Sequence, residues 1–266
     1  GSEGTLGVIT AASLKLYPEP GETRTAFLAM SDAANAVRVL SELRRSLADS
    51  VQAFELISGL TFEFVQRHID GARNPFGAAH PWYVLLEAAV SDQEVFENAL
   101  MRVVEDRLVD DVVIAKSESE AASLWRQRHA IAEAEKAEAP ILKHDVSVPV
   151  ARIPDFINVF RAELEEHWPE VRIVAFGHVG DGNLHYNIAL PGLWSEERLA
   201  EAGAAITHRL YRRVHAMGGS FSAEHGVGRA KRAALKEFGD PVALDLMATL
   251  KTALDPNGIL NPGKVI

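Results

Sequence analysis

Two histidines, His178 and His185, lie on either side of the dipeptide Asp181-Gly182. Asp-Gly favours a two-residue type I′ hairpin, because both central residues of that turn need a positive φ. Closing the hairpin there places His178 opposite His185, with Cβ atoms about 4.5–5.5 Å apart on the same face. Asn187 shares that face, since side chains two residues apart on a strand point the same way. The pattern predicts a pair of imidazoles that can chelate a metal; the alternative is two histidines on a solvated sheet face.

A second group of polar residues is Glu224 and His225, which follow a short predicted strand and precede Gly226. Adjacent residues on an extended segment point in opposite directions, so one of the two can join the histidines while the other faces a different group. A carboxylate beside two histidines is a common zinc ligand set that leaves one position open for substrate or water. Alternatively, Glu224 caps the helix that is predicted to begin at residue 227.

Two cations could serve such a site. Arg128 lies on a predicted helix and Lys143 on a predicted strand, where it shares a face with Asp145. A cation near a metal suits an organic acid substrate, because Arg binds a carboxylate bidentately. A solvated charged face explains both residues equally well on local grounds.

Composition limits the other possibilities. The chain has 266 residues, of which 47% are hydrophobic and 24% are charged, as in an ordinary globular protein. A net charge of −10 argues against a nucleic-acid footprint and against a polybasic membrane patch. There is no cysteine, so any metal must be held by His, Asp and Glu. No apolar run approaches the roughly 18–20 residues that span a bilayer, and we expect a cytoplasmic location, with peripheral membrane attachment left open.

The elements that must position these residues alternate as two successive β-α-β units with inserted hairpins. This order predicts an α+β domain with a mostly antiparallel sheet and helices on one side, built from two ferredoxin-like halves. Among the individual elements, we expect strands over residues 8–17, 141–150 and 220–223, and helices over residues 117–138 and 227–238. Pro18 and Pro20 are predicted to end the first strand.

Four motifs occur in order along the chain: GSEGTLGVIT at residues 1–10, GHVGDGNLH at 177–185, SAEHGVG at 222–228 and DPNGILNPGK at 255–264. Together they strongly resemble the C-terminal half of FAD-linked D-2-hydroxy acid dehydrogenases. This group includes D-lactate dehydrogenase, the glycolate oxidase flavin subunit and D-2-hydroxyglutarate dehydrogenase, within the vanillyl-alcohol oxidase flavoprotein superfamily. The resemblance covers the entire chain, and four ordered motifs are far more specific than any one of them.

The resemblance implies a division of the chain. Residues 1–20 look like the C-terminal edge of the FAD-binding domain, residues 21–240 like the substrate-binding cap with its metal site, and residues 241–266 like a helix and loop that return to the flavin. FAD would be bound mostly by an N-terminal domain missing from this chain. The chain alone is therefore expected to purify colourless and to be inactive. An external electron acceptor (a quinone, an electron-transfer flavoprotein or a cytochrome) and a homodimer are also expected.

The resemblance also implies residue roles. The ligands of a divalent metal, usually zinc in that family, would be His178, His185 and Glu224. His225 would be the general base. The substrate contacts would be Arg128, Lys143 and Asn187, and the residues near FAD would be Gly4, Gly7 and Asn261. One departure is Ala132, where the D-2-hydroxyglutarate enzymes carry a threonine, so the preferred acid stays open.

The expected reaction is oxidation of a D-2-hydroxy acid to the 2-oxo acid, with hydride passing to FAD. Two other functions compete with it. A metal-dependent hydrolase with a His₂Glu-bound water would need no flavin and leaves the glycine-rich residues 1–10 unexplained. A non-catalytic α+β binding module would bind no metal tightly.

Overall fold

The computed structural model describes residues 1–17, 21–138 and 140–266. Its first half contains β1 (Thr23–Met30), α1 (Ala33–Leu47), β2 (Val51–Ser58), α2 (Gly59–His68), β3 (Trp82–Ala89), α3 (Gln93–Glu105) and β4 (Asp111–Ile114). Its second half contains α4 (Glu118–His129), α5 (Ile131–Ala137), β5 (Ile141–Leu142), β6 (Asp145–Ser147), α6 (Ile153–His167), β7 (Arg172–His178), β8 (Asn183–Ala189), α7 (Glu196–Ala216), α8 (Arg232–Phe238) and α9 (Pro241–Leu254).

One antiparallel sheet joins the two halves, in the order β4-β1-β3-β2-β7-β8-β5, with β6 also paired to β8. Strands β1 to β4 have the order 4-1-3-2 of a ferredoxin-like unit. The second half repeats this order. In it β6, β7 and β8 correspond to strands 1, 2 and 3 of the unit, and Ser220, which bridges Ser147 of β6, lies at the position of strand 4. The α+β class and the duplicated ferredoxin-like architecture are thus confirmed.

Helices α1, α3, α6 and α7 pack on one face of the sheet, where they form the larger core with side chains such as Leu40, Phe96, Phe156 and Leu210. The shorter helices α2, α4 and α5 correct the expectation that all helices lie on one side, because they cover part of the opposite face. Neighbouring residues of β1 explain this second layer. Phe27 and Leu28 point to opposite faces and are both buried, so each face needs a cover.

The connection between β7 and β8 is not the predicted type I′ hairpin. His185 lies opposite Phe176 rather than His178, and the chain turns through a 3₁₀ segment at Val179–Asp181 before Gly182, whose φ is +77°. The two strand ends pair with different neighbours, since His178 pairs with Glu55 of β2 and residues 183–185 pair with β6. A two-residue turn would pair residues 178–180 with residues 183–185, whereas here these two strand ends pair with β2 and with β6. The register differs by two residues, and an even shift leaves side chains on their original face.

Several other element predictions were wrong. Residues 8–17 form no strand, and their apolar side chains are exposed, because none of the described strands pairs with them. Pro18 and Pro20 lie outside the described residues. The predicted helix over residues 117–138 breaks at Ala130, where ψ is −4° and the backbone N–H bonds Arg126 O. Residues 220–223 form a single bridge instead of a strand, and the helix expected from residue 227 begins at Arg232.

The strand predicted over residues 141–150 is interrupted between β5 and β6, at Lys143 and His144. The His144 ring is buried between Tyr186 O and Thr207 Oγ1, at 3.0 and 2.9 Å. Burial lowers the pKa of His144 to about 4, although its bond to the Tyr186 carbonyl raises it. The imidazole is therefore neutral at physiological pH and acts as an internal hydrogen-bonding group of the fold.

Among the described helices, none combines the length and the apolar character needed to cross a membrane.

Candidate metal and substrate site

A cavity of about 450 Å³ lies between the sheet and helices α4 and α5. Its walls come from β2, β7, β8, the two helices, residues 143–145 and the loop that carries Glu224 and His225. All the residues assigned above to metal, base and substrate contact it: Arg128, Lys143, His178, His185, Asn187, Glu224 and His225. The fold thus gathers into one cavity side chains that are spread along the sequence from residue 128 to residue 225.

The three predicted metal ligands meet at the Glu224 carboxylate. Its Oε1 is 3.0 Å from His185 Nε2, and its Oε2 is 3.8 Å from His178 Nε2. The two imidazole rings are 6.3 Å apart, centre to centre. His185 and Glu224 also belong to a tighter cluster with Asp145 and His225, in which one potential ligand atom of each residue lies within 4.8 Å of the others.

Asp145 was not anticipated as part of this site. Its Oδ2 accepts hydrogen bonds from three successive backbone N–H groups, those of Ala223, Glu224 and His225, at 2.9, 3.0 and 2.8 Å. Consecutive N–H groups that converge on one anion form a nest. Asp145 therefore fixes the backbone that carries Glu224 and His225. The contact spans about 80 residues of sequence, so no local pattern could have indicated it.

The donor set fits a divalent metal. Asp145 Oδ1 is buried and has no hydrogen-bond partner among the described residues, which is a costly state for a carboxylate oxygen unless a cation or water completes it. Imidazoles and carboxylates without cysteine form the usual ligand set of catalytic zinc. Burial lowers the pKa of His185 below its ordinary value, although Glu224 and Asp145 raise it. A neutral imidazole offers the lone pair that a metal needs.

Two buried carboxylates hold the cations of the cavity. Glu55 accepts from Arg128 Nε at 2.9 Å and from His178 Nδ1 at 2.5 Å, and the Arg128 guanidinium lies 4.9 Å from the centre of the Phe176 ring. The Arg128 side chain is only 11% exposed, which contradicts the alternative of a solvated charged face. Glu55 has a signal in the sequence, because an acid within the apolar run Phe54-Glu-Leu-Ile57 needs a buried partner.

Glu135 plays the corresponding role for Lys143 and Asn187. Its carboxylate is 2.8 Å from Lys143 Nζ and accepts from Asn187 Nδ2 at 2.6 Å. Asn187 Oδ1 in turn accepts the backbone N–H of His144 at 2.9 Å, so the orientation of this amide is fixed. One Nδ2–H of Asn187 remains after these bonds. Lys143 is about half exposed and lines the cavity.

His225 is the most accessible of the candidate residues in the cavity, with a side chain that is 63% exposed. Its ring centre lies 5.6 Å from that of His185, and its Nδ1 lies 3.9 Å from Asp145 Oδ2. Lys231, which was also not anticipated, lines the cavity and donates to Ser222 Oγ at 2.9 Å. Burial lowers the pKa of Lys231, although Asp145 and Glu3 raise it.

The residues assigned to FAD lie outside this cavity. Asn261 Nδ2 donates to Glu3 O at 2.6 Å, and Gly4 lies against the Asn261 side chain, whereas a Cβ at Gly7 would have no atom of another described residue within 4 Å beyond its chain neighbours. The Glu3 carboxylate accepts the backbone N–H groups of Val227 and Gly228 at 2.7 and 2.8 Å. A Cβ at Gly226 would come within 2.6 Å of that carboxyl group. The N-terminal loop is thus bound beside the segment that follows His225.

Comparisons with known proteins agree with this architecture. Residues 19–265 match the family model described as FAD linked oxidases, C-terminal domain. The chain belongs to this family. Relatives with 36% and 37% identity over all of the chain are named D-2-hydroxyglutarate dehydrogenase, a mitochondrial protein of Arabidopsis thaliana and a protein of Xanthomonas citri pv. viticola. A putative mitochondrial D-lactate dehydrogenase of Schizosaccharomyces pombe is 35% identical over the whole chain.

The chain spans about half the length of these relatives: 47%, 56% and 52% in the same order. Solved structures with the same fold include p-cresol methylhydroxylase with substrate bound, at a TM-score of 0.64 and 15% identity over 93% of this chain and 53% of that one. Alkyldihydroxyacetonephosphate synthase has a TM-score of 0.62 and 16% identity over 98% of this chain and 48% of that one. The TM-scores show that the fold is shared, whereas sequence identities this low carry no information about activity or ligands.

Proposed function

We propose that this chain is the substrate-binding part of a flavin- and metal-dependent dehydrogenase that oxidises a D-2-hydroxy acid to the 2-oxo acid. One observation carries the proposal: a single cavity combines the imidazole and carboxylate donors of a metal site with two cations suited to a carboxylate. The names of the relatives, which are D-2-hydroxyglutarate and D-lactate dehydrogenases, support the same class of substrate.

His178, His185 and Glu224 would hold the metal, with a carboxylate oxygen of Asp145 within 4.8 Å of ligand atoms of His185 and Glu224. When bound, a divalent metal such as zinc lowers the pKa of a hydroxyl group beside it. FAD, when bound, would supply the acceptor for a hydride from the α-carbon. Gly4, Gly7 and Asn261 are proposed to lie near the flavin, and an external electron acceptor would reoxidise it.

The residues of the chain bind and orient the acid. Arg128 and Lys143 donate to substrate carboxylate oxygens, and the remaining N–H of Asn187 adds a directed contact. His225 accepts the hydroxyl proton, because it lines the cavity as the most exposed imidazole of the cluster and its backbone is fixed by Asp145. The proton therefore ends on His225 while the hydride leaves with its electron pair, which balances the two-electron oxidation.

Residues 1–20 are assigned to the edge of an FAD-binding domain, residues 21–240 to the cap, and residues 241–266 to the segment that returns to the flavin. The boundary at residue 20 lies outside the described residues. A second copy of the chain in a homodimer is a further expectation that gel filtration would test.

A substrate screen of the flavin-loaded full-length protein tests the proposal. D- and L-2-hydroxy acids with different side chains are supplied with a dye as electron acceptor. We expect dye reduction by at least one D acid and none by its L enantiomer. Dye reduction by no 2-hydroxy acid, together with ester or amide hydrolysis by the flavin-free protein, would favour a metal-dependent hydrolase instead.

A further inference from the structure

Glu55 occupies an unusual position for an acid. It lies in β2, in the centre of the eight-stranded sheet, and its side chain is only 5% exposed. Both of its carboxylate oxygens are used, and they serve different residues. Oε1 accepts from His178 Nδ1 at 2.5 Å, whereas Oε2 accepts from Arg128 Nε at 2.9 Å and lies 2.8 Å from Arg128 Nη2. One carboxylate thus bridges a proposed metal ligand and a proposed substrate cation.

The bond to His178 determines which ring nitrogen is available. Because a carboxylate accepts, Nδ1 is the donor of this bond, and the ring nitrogen left for a metal is Nε2, which lies 3.8 Å from Glu224 Oε2. An acid behind the distal nitrogen of a metal-binding histidine fixes the tautomer and the ring orientation. The His178 side chain is 38% exposed, against 13% for His185, so Glu55 holds the less buried of the two imidazoles.

The bonds to Arg128 determine where the guanidinium points. Nε and Nη2 face Glu55, and the guanidinium lies over the Phe176 ring. Nη1 donates to no group in the described part of the chain, and the residue lines the cavity. The planar fork of Arg presents donors in fixed directions, so holding one edge against Glu55 directs the other edge to a ligand.

We infer that Glu55 is a positioning residue that couples the two parts of the site, because it fixes His178 for the metal and Arg128 for the substrate carboxylate at the same time. The inference rests on the proposed function, since it takes His178 as a metal ligand and Arg128 as a substrate contact. A purely structural ion pair would connect Glu55 to Arg128 alone and would leave metal affinity unchanged. The bridge to His178 distinguishes the two.

The test compares Glu55→Gln with the parent in the flavin-loaded full-length protein. Gln keeps the shape of Glu but lacks the charge and can accept through one oxygen only. Glu138→Gln is the matched control, because Glu138 also bridges an arginine and a histidine, Arg67 at 2.6 Å and His68 at 2.8 Å, but lies outside the cavity. Metal affinity is measured by competition of zinc with a chelator, and KM and kcat are measured with the D acid identified in the screen.

We expect Glu55→Gln to lower zinc affinity by about 10- to 100-fold. With zinc added to saturation, kcat should return to about the parental value while KM stays raised by about tenfold or more, because Arg128 is no longer held in place. Glu138→Gln should change neither quantity. Glu55→Asp keeps the charge with a shorter reach, so it should restore part of the zinc affinity; this variant also serves if Glu55→Gln folds poorly.

Parental zinc affinity in Glu55→Gln would overturn the inference, and so would a KM that returns to the parental value once zinc is saturating. Both outcomes assume a parent that binds zinc and oxidises the acid. A parent that does neither contradicts the proposed function instead, so the two failures are distinguishable.

Discussion

Replacing Asp145 with asparagine should loosen the backbone that carries Glu224 and His225. The Asp145 carboxylate accepts three backbone N–H groups through one oxygen. A hydrogen bond to a charged group contributes about 1.5–3 kcal/mol and a neutral one about 0.5–1.5 kcal/mol. The amide oxygen of the Asp145→Asn variant can accept the same three bonds, but each loses about 1 kcal/mol, or about 3 kcal/mol in total.

Amide hydrogen exchange of residues 223–225 measures this loss directly, with metal removed from both proteins so that only the hydrogen bonds differ. Local opening that becomes easier by about 3 kcal/mol accelerates exchange about 100-fold, since each 1.4 kcal/mol is a factor of ten. Asp255→Asn is the matched control, because Asp255 accepts the backbone N–H groups of Ile259 and Leu260 at 2.9 and 2.8 Å. It should accelerate exchange there and leave residues 223–225 unchanged. Equal protection of residues 223–225 in Asp145→Asn and in the parent would refute the role of Asp145.

Three further outcomes are expected. His185→Ala should remove most of the bound zinc with an unchanged circular dichroism spectrum. The control His208→Ala, which changes an exposed histidine paired with Glu237, should keep its zinc. Full zinc content in His185→Ala would show that the ligand set is wrong. His225→Ala should slow flavin reduction by about 10²–10⁴-fold at normal FAD and zinc content, and a parental rate would exclude it as the base. The pKa of His144 is 6.5 in the unfolded chain and about 4 in the fold. Below pH 6.5 the unfolded state therefore binds a proton that the folded state does not bind. The free energy of unfolding should fall by about 3 kcal/mol between pH 6.5 and 4. Urea titrations across this range should show a smaller fall in His144→Gln; an identical fall would contradict the assignment.

Much of the fold could be predicted from the sequence because its signals are local. In the first half, Asp32, Ser58 and Asp92 cap the three helices that follow β1, β2 and β3. Capping side chains bond residues two or three positions away, so the sequence alone carries that information. The duplicated architecture followed from the order of these elements.

The parts that could not be predicted depend on distant partners. The β7–β8 connection is set by β2 and β6, which pair with its two strand ends, and not by Asp181-Gly182 itself. Similarly, the motif around Glu224 does not reveal that Asp145 fixes its backbone, because the two segments are far apart in sequence. The histidine pair was expected from hairpin geometry that was wrong in register. It still lines one cavity because the register error was even.

The most direct test of a metal-dependent oxidation in this cavity is the anaerobic reduction of the enzyme-bound flavin by the D-2-hydroxy acid from the screen. Flavin absorbance is followed in the holoenzyme, in the same protein after dialysis against a chelator, and after zinc is restored, with metal content verified by elemental analysis. We expect rapid bleaching in the holoenzyme, loss of bleaching in the metal-free protein although its FAD content is unchanged, and recovery with zinc. Undiminished bleaching in protein shown to be free of metal would contradict the account.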